Sequence, residues 1–158
     1  MKREQISEFT NRIANSNKTE IIVVLYDMFT AYTDDGILAL NDGDYDGFKV
    51  SLSKAQAVIV NIMENLNYSH ALFMNLIEIH RFLLRCLVES LVKKEVEELE
   101  NAKKIVKQLR DAFFELSKDD KSPALMQNTQ KVYAGLTYGK GSLNEMTDDQ
   151  GVSRGFLA

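Results

Sequence analysis

Two histidines, one cysteine and a run of acidic residues are the first candidates for catalysis or metal binding. His70 and His80 lie ten residues apart, and neither has a Glu three residues before it, the spacing that builds di-iron sites in helical bundles. The nearest acid, Glu78, precedes His80 by two residues, and on a helix these two side chains point apart. Cys86 lies on an apolar stripe, where a buried thiol is inert. The acids within residues 95–100 are typical of a solvated first helical turn. From all these observations together we predict no enzyme activity, no metal and no cofactor.

A glycine-containing stretch near the end of the chain, Gly135–Ser142, is the candidate for phosphate binding. It lacks both the four-residue gap between glycines and the preceding strand of a phosphate loop. Charge argues against nucleic acid as well, since residues 1–18 have a net charge of +2 but residues 19–117 have a net charge of −6. Because an acidic body repels phosphates, we expect no nucleic acid partner.

The composition indicates one helical domain. The chain has 158 residues, one Pro, and no Gly over residues 48–134. So few chain breakers favour helices over a β-sandwich or barrel. The longest apolar run, Ile21–Tyr26, is too short to cross a bilayer, and no apolar segment typical of a signal peptide precedes it. We therefore expect a cytoplasmic protein without membrane insertion.

Hydrophobic periodicity predicts the helices that would position a site. Apolar residues recur every three or four positions over residues 48–66, 72–90 and 99–116, which places each set on one stripe of a helix. A less regular helix is expected from about residue 19 to residue 41. Because the connections are short, we predict an all-α fold in which residues 19–117 form an antiparallel up-down four-helix bundle.

The ends of the elements and the flanks of the bundle are also indicated. Asp44 or Asp46 is suited to cap the second helix of the bundle. Residues 1–18 have few large apolar side chains, enough for one or two marginal helical turns. Within residues 118–158 we predict a short helix over Pro123–Tyr133 and then a flexible tail that contains Gly.

Apolar residues exceed what a four-helix core needs. Ile21–Phe29 is apolar on nearly every side, Val58–Val60 is a continuous apolar run, and 14 of the 21 residues in Leu72–Val92 are apolar. Apolar side chains outside the core stripe must be covered or they form a surface patch. The tails, a second copy of the chain in a homodimer, or a partner segment docked in a groove are the alternatives for that cover.

Several short segments, in order and in spacing, carry a resemblance to a known family. The first group of segments consists of Phe9 and Ile13, then Asn15–Lys18 and Ile21, then Leu25–Asp27. With Lys54, Ala55 and Gln56 in the second helix, and with Arg110 and Phe113 in the fourth, the chain resembles the flagellin export chaperones over about residues 9–117. Lys18 and Phe113 depart from the family pattern, which has Pro and Trp there, and Met28 and Leu91 stand for Gly and Asn.

The resemblance implies a non-enzymatic chaperone that works in the cytoplasm. Such proteins bind the disordered C-terminal segment of flagellin, prevent its premature polymerisation and deliver it to the export gate of the flagellar type III apparatus. It further implies that residues 1–18 act as a flap over the binding groove through Phe9 and Ile13. We take Asp27, Lys54, Ala55, Gln56, Arg110 and Phe113 as the family motif residues.

The apolar excess then provides candidate groove residues. These are Ile21, Val24, Leu25, Tyr26, Val58, Ile59, Phe73, Ile77 and Leu84. The alternative is a homodimeric helical structural or adaptor protein that uses the same apolar surface for self-association.

Overall fold

The computed structural model describes residues 3–66 and 71–125, and for residues 71–74 it describes the backbone only. This part of the chain contains five α-helices and no strand, which confirms the all-α class. They are α1 (Arg3–Ala14), α2 (Lys18–Asn41), α3 (Tyr45–Asn65), α4 (Ala71–Lys93) and α5 (Glu97–Asp119). The structure does not describe residues 126–158, so most of the predicted helix over Pro123–Tyr133 and the predicted tail lie outside the described residues.

Side-chain caps determine where α2 and α3 begin. The Oδ1 atom of Asn17 accepts a hydrogen bond from the Glu20 amide at 2.9 Å, and Glu20 Oε2 accepts one from the Asn17 amide at 2.9 Å. This reciprocal capping box satisfies two amides that the first helical turn leaves without partners. At α3 the cap is Asp44 rather than Asp46, because Asp44 Oδ1 accepts from the Gly47 amide at 2.9 Å.

Helix α2 lies at the centre of the molecule. It contacts α1, α3 and α5, while α4 contacts α3 and α5. The five consecutive residues Ile22–Tyr26 are all buried because neighbours surround this part of α2. Most of the apolar excess at the start of α2 is therefore core.

Gly36 allows α2 and α3 to approach closely. A Cβ atom at this position would lie 2.5 Å from Leu52 Cδ1, and Leu52 is fully buried. Although glycine weakens the helical propensity of its segment, α2 continues through Gly36 to Asn41. Close packing against α3 offsets that weak propensity.

The N-terminal segment is more ordered than its sequence indicates. Instead of one or two marginal turns, residues Arg3–Ala14 form a 12-residue helix. Isolated helices of this length are marginal in water. Contacts of α1 with α2 supply the missing stabilisation.

Candidate functional site

One carboxylate connects three helices. Asp27 on α2 accepts a hydrogen bond from Arg12 Nη2 on α1 at 2.6 Å, and another from Arg110 Nε on α5 at 3.1 Å. Each of its two oxygen atoms has its own guanidinium partner. We call Arg12, Asp27 and Arg110 the Asp27 cluster. It joins two of the family motif residues, which the sequence places 83 positions apart.

The electrostatics of the Asp27 cluster favour the charged form of Arg110. Partial burial disfavours the charge of Arg110, but hydrogen bonds and attraction from Asp27 and Asp111 outweigh it and raise the pKa of the guanidinium. The Asp27 side chain is 25% exposed and that of Arg12 is 37% exposed, so water screens both pairs. Each ion pair of this kind contributes on the order of 1 kcal/mol or less to the stability of the fold. The pair between Arg12 and Asp27 orients α1 on α2.

An apolar cleft of about 410 Å³ lies where the start of α2, the end of α3 and the end of α5 meet. Its apolar lining comes from Ile21, Ile22, Leu25, Leu66, Phe113 and Leu125. Polar groups stand at its rim, from Lys18, Thr19, Asn61 and Asn65. Such a lining suits an apolar side chain or a short helical segment of another polypeptide.

The structure brings only part of the predicted groove to this cleft. Ile21 and Leu25 line it, and Ile21 is half-buried. Ile77 and Leu84 are half-buried on α4 and do not line the cleft. The side chain of Phe73 lies outside the described residues.

Five of the predicted groove residues are buried in the core, and one of them, Leu25, also lines the cleft. Tyr26 and Ile59 are 0% exposed, and Val24 and Val58 are also buried. In the free protein these side chains are therefore covered, and their role in client binding stays a prediction. Periodicity identified apolar side chains but gave no means to distinguish the stripe that faces neighbouring helices from one that faces water.

A buried polar pair joins α2 to α4 beneath the cleft. The hydroxyl of Tyr26 and Nε2 of His80 lie 2.9 Å apart, and the two rings stack with centroids 6.0 Å apart. Burial lowers the pKa of His80, since the charged ring would lose its water, and the nearby Leu76 carbonyl opposes this shift only in part. His80 is therefore a neutral packing partner, and the sequence contained no signal for its pairing with Tyr26.

The remaining motif residues have separate places. Ala55 is fully buried in the core, Gln56 is exposed, and the ammonium of Lys54 lies 5.7 Å from the centre of the Tyr32 ring. Phe113 is 7% exposed, and its ring centre lies 5.8 Å from that of Tyr26. It therefore belongs both to the core and to the lining of the cleft.

The two predicted flap residues lie on α1. Phe9 and Ile13 are both half-buried, and the guanidinium of Arg12 lies 5.7 Å from the centre of the Phe9 ring. Since Arg12 also binds Asp27, the Asp27 cluster holds α1 beside α2.

Helix α4 carries part of the apolar surface that remains exposed. Phe82, Val88 and Val92 are 39%, 50% and 77% exposed. Among the described residues no cluster of three or more His, Cys, Asp or Glu side chains is arranged to hold a metal ion. The part of the chain with described coordinates also has no helix that is long and apolar enough to span a membrane.

The fold and the cleft define an all-helical protein whose candidate site is an apolar surface beside a charged cluster. The family model of flagellar protein FliS matches residues 1–120. The chain therefore belongs to the FliS family, and the resemblance to flagellin export chaperones is confirmed. A comparison with curated proteins finds no match.

Proposed function

We propose that this protein is a cytoplasmic, non-enzymatic export chaperone for flagellin. It binds the disordered C-terminal segment of flagellin, prevents premature polymerisation and delivers its client to the gate of the flagellar type III export apparatus. The observation that carries the proposal is the membership in the FliS family over residues 1–120. The apolar cleft lined by Ile21, Leu25 and Phe113 supports it, because these residues come from family-like segments.

The same proposal includes the antiparallel four-helix arrangement of α2 to α5. Its support is a set of contacts at the two ends of the molecule. The start of α2 lies beside the end of α3 at the cleft, and Thr19 near the start of α2 contacts Asp120 just after α5. At the other end, the ammonium of Lys94 after α4 lies 4.2 Å from the ring centre of Tyr45 at the start of α3.

The physical logic of the proposal is coupled folding and binding. A disordered client loses conformational entropy when it becomes helical, so it needs a long apolar surface to offset that loss. The cleft accommodates one anchor of such a client, and α1 with Phe9 and Ile13 acts as a flap that the rest of the client displaces.

Calorimetry with the C-terminal segment of flagellin from the same bacterium tests this proposal. A peptide of about 50 residues would span the length of the helices. Ile21→Asp places a charge in the cleft, and we expect it to weaken binding at least about tenfold. Val92→Asp is the matched control, since Val92 is exposed at the end of the molecule far from the cleft. Failure of the unaltered protein to bind at micromolar concentration would contradict the chaperone function.

Self-association remains the alternative use of the apolar surface. The exposed Phe82, Val88 and Val92 on α4 favour it, since they form apolar surface without cover among the described residues. Sedimentation would then show a dimer that the flagellin peptide does not dissociate and that Val88→Asp does.

A further inference from the structure

The chain turns back after α5 and returns to the start of α2. The Leu125 amide donates to the Ser16 carbonyl at 3.2 Å, which brings residue 125 beside the connection between α1 and α2. We call residues 120–125 the clasp. Only its first residue belongs to the part of the chain that the FliS family model matches.

Asp120 fastens the clasp to the first turn of α2. Its Oδ2 accepts a hydrogen bond from the Thr19 hydroxyl at 2.6 Å, and its main-chain carbonyl accepts one from Asn17 Nδ2 at 3.1 Å. Its Oδ1 accepts from both the amide and the hydroxyl of Ser122, at 3.0 and 2.5 Å. These hydrogen bonds, first those from Ser122 and Thr19, lower the pKa of Asp120 to about 2, so the carboxylate is charged at neutral pH.

Asn17 has a double role in this arrangement. Its Oδ1 caps α2 through the Glu20 amide, and its amide group donates to Asp120. Asn17 is 5% exposed, so both of its polar ends need partners inside the protein. The clasp therefore completes the hydrogen bonding of the helix cap.

The clasp brings its last described side chain to the apolar cleft. Leu125 lines the cleft together with Ile21, Leu25, Leu66 and Phe113, while 43% of its surface remains exposed. An apolar side chain that covers one edge of a cleft in the free protein occupies space that a docked apolar segment would use.

We propose that the clasp is an intramolecular competitor for the apolar cleft, which the client displaces when it binds. The inference rests on the proposed function. It concerns a segment that follows the bundle in the sequence, whereas the flap precedes the bundle. The hydrogen bonds of Asp120 hold the clasp closed, and Leu125 is the group that the client replaces. The clasp must open before the client can bind. The apparent affinity for the client is therefore the intrinsic affinity multiplied by the fraction of molecules whose clasp is open.

Hydrogen–deuterium exchange of the free protein tests whether the clasp closes. Asp120→Ala removes the acceptor of the Thr19 hydroxyl, and Thr19→Val removes the donor with little change in shape. We expect amides of residues 18–25 to exchange about tenfold faster in both variants. Asp119→Ala is the matched control, because it removes the same charge from the exposed neighbouring residue. Unchanged exchange in both variants would overturn the clasp.

Calorimetry with the C-terminal flagellin peptide tests the competition. Asp120→Ala and Leu125→Ser should each bind at least about threefold more tightly than the unaltered protein, and Asp119→Ala should bind equally. Unchanged or weaker binding by both variants would overturn the competition and would make Leu125 part of the binding surface. If none of the proteins binds flagellin, the proposed function fails, whereas the exchange experiment still decides whether the clasp closes.

Discussion

Asp27 is the residue at which the ion pairs of three helices meet. Its carboxylate binds Arg12 of α1 and Arg110 of α5 through separate oxygen atoms. A sequence pattern indicates that such a residue matters to a family, but only the fold supplies its partners. The role that the structure supports is to hold α1 against α2 and α5.

Asp27→Asn should release α1 without unfolding the rest of the protein. The neutral amide lacks the negative charge and keeps only one of the two acceptor oxygen atoms, and we expect the free energy of unfolding to fall by about 1 kcal/mol. Exchange of the amides in α1 should rise more than exchange in α4. Asp111→Asn removes only the exposed partner of Arg110 and should change stability by less than about 0.5 kcal/mol. Equal effects of the two variants would contradict the role given to Asp27.

His80 should make stability depend on pH. Because burial lowers its pKa in the folded state, the unfolded chain takes up a proton first as the pH falls below about 6.5. The free energy of unfolding should therefore decrease between pH 7 and pH 5. His80→Gln should remove part of this decrease in urea denaturation, while Tyr26→Phe should retain it because His80 stays buried. The same pH slope in His80→Gln and in the unaltered protein would argue against a neutral buried His80.

The packing of α3 on α2 depends on the close approach that Gly36 allows. Gly36 faces the fully buried Leu52 without space for a further carbon atom. The helical propensity of alanine would add about 1 kcal/mol to the stability of α2, whereas overpacking would cost about 1–3 kcal/mol.

Gly36→Ala should therefore destabilise the protein, by about 1 kcal/mol in thermal or urea denaturation. The double variant Gly36→Ala with Leu52→Val should lose less than the sum of the two single changes, because the smaller side chain makes room for the new methyl group. A Gly36→Ala protein more stable than the original would contradict the close packing of α2 on α3.

Phe113 links the core to the candidate site. It contacts Tyr26 and also lines the cleft that Leu125 partly covers. The family pattern has Trp at this position. The cleft beside Phe113 offers space for that larger ring.

Phe113→Trp should fold with a change in stability below about 1.5 kcal/mol, because the added volume extends into the cleft. The chain contains no other Trp, so the fluorescence of the variant reports on the cleft alone. We expect its emission to shift to shorter wavelength when the flagellin segment binds. Phe82→Trp on the exposed face of α4 is the control. A shift in the control and none in Phe113→Trp would place the client on α4.

The all-α class, the approximate extent of the helices and the family could all be predicted from local features of the sequence. Helical periodicity, short connections and the scarcity of Gly and Pro are local properties, and they need no knowledge of the neighbours. Asp44 could likewise be proposed as a cap, since a cap depends on its own first turn. The order and spacing of the motif segments sufficed to identify the family.

Which apolar residues face water depends on their neighbours in the folded protein and could not be predicted from the pattern. Tyr26 and Ile59 are as apolar in pattern as Ile21, yet they lie in the core because neighbouring helices surround these parts of α2 and α3. The Asp27 cluster, the Tyr26–His80 pair and the clasp join residues 15 to 109 positions apart. Such contacts depend on how the helices pack together, and no local periodicity encodes them.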